Sequence, residues 1–131
     1  MKLQNKEIKN KPSEERIVNS VAMFFKRKGY SKQKKEFQLC ERYIDLLCDN
    51  GKKMIAVEAK VNAPTQAFSQ AKRYAHIADY VYVAILKNGC NKKAIELSKV
   101  TGIGLIFVKR DSLDRYTAKL EIKPKRSKKK G

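Results

Sequence analysis

Apolar residues alternate or cluster along this chain in a pattern that marks out its elements before any chemistry is considered. From 42 to 60 it reads R-Y-I-D-L-L-C-D-N-G-K-K-M-I-A-V-E-A-K. Two apolar runs flank Asn50-Gly51, the strongest short-range signal for a β-hairpin. A two-residue turn there sets Asp49 against Lys52 and Asp45 against Ala56. Side chains alternate across a strand, so Tyr43, Asp45, Leu47, Met54, Ala56, Glu58 and Lys60 share one face. Ile44, Leu46, Cys48, Ile55, Val57, Ala59 and Val61 form the other, a continuous apolar face expected to be the core side.

The flanking segments follow by period and punctuation. Pro12-Ser13 opens a helix over 13–28, stopped by Gly29, with Ile17, Val18, Val21, Ala22 and Phe25 as its apolar stripe. Residues 31–35 read as a basic connector and 36–41 as a strand. After the hairpin, Asn62 and Pro64 start a helix reaching 77 or 78. Its Gln66, Gln70 and Tyr74 fall at steps of four and predict one polar stripe. Ala67, Ala71, Ala75 and Ala78 line an adjacent small-residue stripe, while Lys72, Arg73 and His76 turn outward. Residues 80–86 and 103–108 are buried-strand runs, separated by a helix that Asn91 caps and Gly102 ends. Over 111–122 a weaker alternation suggests an edge strand. The order predicts an α/β protein: an α-β-β-β-α-β core with a mixed sheet flanked by helices, plus an extra helix and strand.

Length allows one hydrophobic core, expected over 13–122 between a flexible basic stretch, 1–12, and a disordered basic tail, 123–131. Thirty-one Lys and Arg against 13 Asp and Glu leave a formal charge of +18. An excess that large favours a polyanionic partner, nucleic acid first. Arg42, Lys60, Lys72, Arg73, Lys125, Arg126, Lys128, Lys129 and Lys130 are the candidate phosphate contacts. Three cysteines (Cys40, Cys48, Cys90) without CxxC spacing argue against a disulfide framework or zinc site and for a reducing, cytoplasmic setting. The N-terminal residues lack the apolar stretch of a secretion signal, and no segment has membrane-spanning length, so no membrane partner is expected.

Charge changes the reading of the hairpin. In the two-residue register Asp45 and Glu58 are diagonal neighbours, Cα atoms roughly 7–8 Å apart, able to share one cation. Lys60 points the same way. Such charges are costly to bury unless paired or bound to metal. On the residues alone, a partly exposed ion-pair network worth little stability is an equal account. Glu14, at the edge of the inward face of the first helix, either suits the helix start electrostatically or reaches the same place.

With those residues in view, the chain resembles the PD-(D/E)xK nuclease superfamily. The resemblance rests on Ile44-Asp45, twelve intervening residues, then Glu58-Ala59-Lys60, followed by a helix carrying Gln70-x-x-x-Tyr74 as in RecB-type members. A helix bearing Glu14 ahead of the strands is similar to that of archaeal Holliday-junction resolvases. Ile44 stands where the motif has proline. The resemblance implies Asp45, Glu58 and the Ala59 carbonyl as ligands of Mg²⁺ or Mn²⁺, hard cations that prefer oxygen. Lys60 would orient the attacking water. Gln70 would support the site, and Tyr74 would hold Lys60 or the phosphate. The function implied is metal-dependent hydrolysis of DNA phosphodiesters, duplex or branched, endonucleolytic rather than exonucleolytic. Resolvases work with two sites, so a homodimer is allowed. A DNA-binding module of the same fold that does not cut is the alternative; no signature favours RNA.

Overall fold

A computed structural model describes residues 12–39, 42–88 and 91–127. Helix α1 (Pro12–Arg27) is followed by strands β1 (Lys32–Leu39), β2 (Arg42–Asp49) and β3 (Met54–Lys60), then helix α2 (Pro64–Ala71) and a 3-10 helix (Lys72–His76). Strand β4 (Tyr80–Leu86), helix α3 (Lys92–Thr101) and strands β5 (Gly104–Arg110) and β6 (Tyr116–Ile122) complete the order. The six strands form one sheet in chain order, β1 to β6. Hairpin-joined strands pair antiparallel, whereas β3, β4 and β5, joined through helices, are parallel. This is the expected mixed α/β architecture, with the additional helix and strands following the α-β-β-β-α-β core. Among the described residues no helix is long and apolar enough to cross a membrane.

Both faces of the sheet are core. On one, Ile17, Val21 and Phe25 of α1 pack on Leu46, Cys48, Ile55 and Val57. On the other, Ala67, Phe68, Ala71 and Tyr74 pack on Ala56, Val81, Val83 and Leu105. The sequence expectation of a core on one side of the hairpin is thus corrected. The face carrying Met54, Ala56 and Glu58 is covered as well, because α2 returns over it on the way to β4. Strand β3 is buried along its length, as parallel central strands are.

Three further expectations change. The hairpin turn is longer than two residues: Asn50 N–H bonds the Lys53 carbonyl, and Asp49 pairs with Met54. The shift is by two, so from Leu46 to Val57 the faces survive while the partners change. Strand β1 starts at Lys32, inside the stretch read as a connector; lysines suit an edge strand, where they deter sheet-to-sheet pairing. The helix after β3 tightens into 3-10 geometry from Lys72, which turns Tyr74 inward, so Gln66, Gln70 and Tyr74 form no single polar stripe: Gln66 is exposed and Tyr74 buried. Residues 1–11, Cys40, Cys90 and 128–131, with Lys128, Lys129 and Lys130, lie outside the described residues, as does the side chain of Arg42.

Candidate active site

Strands β1 and β2 change face at one point, and Asp45 stands there. Gln33 donates to the Ala22 carbonyl of α1, and Lys35 reaches Asn19 of the same helix. Yet Phe37, only two residues beyond Lys35, packs with the α2-side core. Across the ladder, Leu46 belongs to the α1-side core and Ile44 to the α2-side core, so Ile44 leaves the face it was expected to share with Leu46. The switch has a local cause. Glu36, which falls between the Lys35↔Leu46 and Phe37↔Ile44 pairs opposite Asp45, has φ 51. A left-handed conformation costs a non-glycine residue on the order of 1–3 kcal/mol, and such strain gathers at functional sites.

The β2–β3 ladder ends at Leu46↔Val57. Asp45 and Glu58 are the next residues beyond that last pair, one on each strand. There the strands part, and the Asp45 carboxylate replaces the missing backbone bond, accepting the Ala59 N–H at 2.8 Å. In an extended strand a residue's N–H and carbonyl point to the same side, so the Ala59 carbonyl also faces the opening toward β2. Asp45 is 7 % exposed and Glu58 fully buried. The Tyr74 hydroxyl meets Glu58 Oε1 and lies 3.1 Å from the Tyr43 carbonyl. Tyr74 therefore reaches the acid, where the sequence expectation gave it to Lys60 or a phosphate. Burial, reinforced by the charge of Glu58, its hydrogen bond and Asp45, pushes the phenol well above its ordinary range, so it remains a hydrogen-bond donor.

The other expected residues are distributed unevenly. Lys60, half-buried, ends β3 level with Ile85, two residues past Glu58 and on its face. Gln70 is half-buried on α2, where with Gln66, Ser69 and Arg73 it lines a shallow cavity of about 580 Å³. Lys72 and Arg73 are exposed on the 3-10 helix. Glu14 lies in the first turn of α1, half-buried. That turn sits at the end of the sheet where β3 finishes, since Arg16 bonds Asp114 beyond β5. Among the described residues no three His, Cys, Asp or Glu side chains gather as an ion site, so Glu14 does not complete a triad with Asp45 and Glu58.

Lys125 and Arg126 fall elsewhere, because residues 123–127 do not trail off as a free tail. The Lys125 N–H bonds the Gly102 carbonyl, the Ser127 N–H bonds the Asp79 carbonyl, and Arg126 bonds the Asp79 carboxylate at 3.2 Å. Asp79, which the sequence reading passed over, also accepts the Met54 N–H at 2.8 Å and so fixes the start of β3. Its signal was weak: an acid just before a buried strand. Arg126 thus lies at the opposite end of β3 from Lys60, roughly 20 Å away for a strand of that length.

No protein-family model and no curated protein matches the chain. Among solved structures it is similar to a repair endonuclease from Pyrococcus abyssi, at 18% identity and a TM-score of 0.47, over 75% of this chain and 46% of that one. It is also similar to SfsA of Pyrococcus furiosus, solved in complex with Ca²⁺, at 16% identity and a TM-score of 0.45, over 93% of this chain and 64% of that one. The chain spans about half the length of the first and under two thirds of the second.

The donor set suits one kind of ion. Two carboxylates and a backbone carbonyl are hard oxygen donors. Such donors fit hard cations such as Mg²⁺ or Mn²⁺, which prefer oxygen. Nitrogen and sulfur ligands, which would select zinc, are not part of it.

Proposed function

We propose that the protein is a metal-dependent deoxyribonuclease that hydrolyses phosphodiester bonds at Asp45, Glu58 and Lys60. One observation supports the reading: two buried carboxylates lie just beyond the end of the β2–β3 ladder, Asp45 bonded to the N–H of the residue after Glu58, with an amine two residues further along β3, in a chain of charge +18. Mg²⁺ or Mn²⁺ bound by Asp45, Glu58 and the Ala59 carbonyl would supply Lewis-acid stabilisation of the charge on a bridging phosphate.

The remaining work falls to the chain itself. The Ala59 N–H fixes the rotamer of Asp45, and the Tyr74 hydroxyl fixes that of Glu58, so neither acid reorganises when substrate arrives. Lys60 orients the attacking water and offsets charge growing on the phosphoryl oxygens. Gln70 would support the site from α2. Lys72 and Arg73, exposed beside it, neutralise neighbouring phosphates and make binding salt-dependent.

The test incubates wild type, Glu58→Ala and Lys60→Ala with duplex, single-stranded and branched DNA in Mg²⁺, Mn²⁺ or EDTA. Wild type cuts only with metal, and both variants lose cleavage while still binding DNA. Cleavage that ignores EDTA, or that survives Glu58→Ala, sinks the mechanism. Salt-sensitive binding with no product under any condition would leave a DNA-binding module.

A further inference from the structure

A cavity of about 770 Å³ lies on the α2 side of β1 and β2. Its floor is Phe37, Leu47, Met54 and Ile77, residues at the margin of that core rather than inside it. Its rim carries Lys32 and Lys34, both exposed, set opposite Asp49 and Leu47 by the β1–β2 register. The Lys34 ammonium stands 5.1 Å from the centre of the Phe37 ring. Pockets that hold small organic ligands have this size, about 300–1,000 Å³, and this make-up of apolar walls with few polar groups. The position is telling too. Leu47 follows Asp45 by two residues, about 7 Å along the strand, and the cavity opens on the same face of the sheet as Glu58 and Tyr74.

We propose that this cavity receives an unpaired nucleobase of the strand whose phosphate lies at Asp45 and Glu58, so that the substrate is DNA with a single-stranded segment at the cleavage point. The inference rests on the nuclease reading. Phe37 supplies the ring on which a base stacks as the Lys34 ammonium, which stands over it, moves to a phosphate, and Leu47, Met54 and Ile77 exclude water from the base's other surfaces. Lys32 and Lys34 meet the phosphates on either side. A paired base is locked in its stack, so intact duplex presents only phosphates to a floor of hydrocarbon. A second copy of this chain suits the cavity poorly, because two bodies of charge +18 repel each other. Asp49, the acid in the lining, lies across from Lys32 and accepts the Gly51 N–H, so it leaves the rim basic.

The test measures binding of the full chain in EDTA to three fluorescent DNAs: a single strand, the same strand with abasic residues at its centre, and the blunt duplex. Wild type holds the single strand about tenfold tighter than the abasic strand, within the range of base–aromatic stacking. Phe37→Ala removes that preference and leaves duplex binding unchanged. Phe37→Tyr, which keeps the ring, retains it, so a folding defect is told apart. Lys34→Ala weakens all three DNAs together and lowers the salt slope. Equal affinity for the base-bearing and abasic strands overturns the proposal. So does a preference that survives Phe37→Ala, or a dimer in sedimentation that Phe37→Ala dissociates. None of these readouts needs cleavage, so the outcome is independent of whether Glu58→Ala abolishes it.

Discussion

Strand β3 has a buried acid at each end, and the two are handled differently. At its start, Asp79 meets donors matched to it: the Met54 N–H on one oxygen and the Arg126 guanidinium on the other. An amide and a positive charge offset the cost of burying that carboxylate, and the result is a clasp joining β3, β4 and the C-terminal segment. At its other end, Glu58 lies near Asp45, acid beside acid, with a phenol and an amide as the described hydrogen-bond donors. The first arrangement lowers the energy of the folded chain. The second brings two carboxylates together around a phenol and an amide, a donor set that suits a cation. Burial by itself does not tell the two acids apart; the groups that meet them do.

The sharpest way to break the contrast is to remove one acid at each end. Glu58→Ala is expected to lower metal-dependent cleavage at least about a thousandfold, since several kcal/mol of transition-state charge stabilisation goes with it, while the far-ultraviolet circular dichroism stays native. Asp79→Ala should leave turnover per folded molecule unchanged and cost about 1–3 kcal/mol in urea unfolding, by stranding the Met54 N–H. A loss of stability at Glu58→Ala as large as at Asp79→Ala would erase the distinction.

A further expected effect concerns alkaline stability and tests the α1-side core. Burial pushes the Cys48 thiol up from 9.0 to about 12. It pushes the Tyr82 hydroxyl, with the help of Tyr30 and Tyr80, from 10.0 to about 12. Both stay protonated in the folded chain while the unfolded chain gives its protons up. Their contribution is therefore fully present below pH 9 and is lost as pH rises toward 12. Thermal melts across that interval should fall, and Cys48→Val should flatten the part of the fall nearest pH 9. A melting temperature constant over the interval would contradict the burial of these groups.

Much of the fold was legible because its signals are local. Asn50-Gly51, the run over 80–86, Gly102 and the alternation over 116–122 each act through a few neighbouring residues, and each marks an element the structure contains. Periodicity also put Asp45 and Glu58 on neighbouring strands of one hairpin, and both are buried beside its open end. What it could not reach was the second core. Ala56 and Glu58 were expected to face the helix that follows, but which side chains close over them, Phe68 and Tyr74 among them, is a contact that periodicity does not name.

The sequence by itself determined the order of elements and the sign and size of the chain's own charge, because these depend on periodicity and composition. Only the tertiary structure decided that both acids are buried, that Tyr74 reaches Glu58, that Arg126 closes on Asp79 and that strained Glu36 turns two strands over at Asp45. Each of those depends on where distant segments meet, and a pattern of neighbours along a chain does not encode that meeting locally.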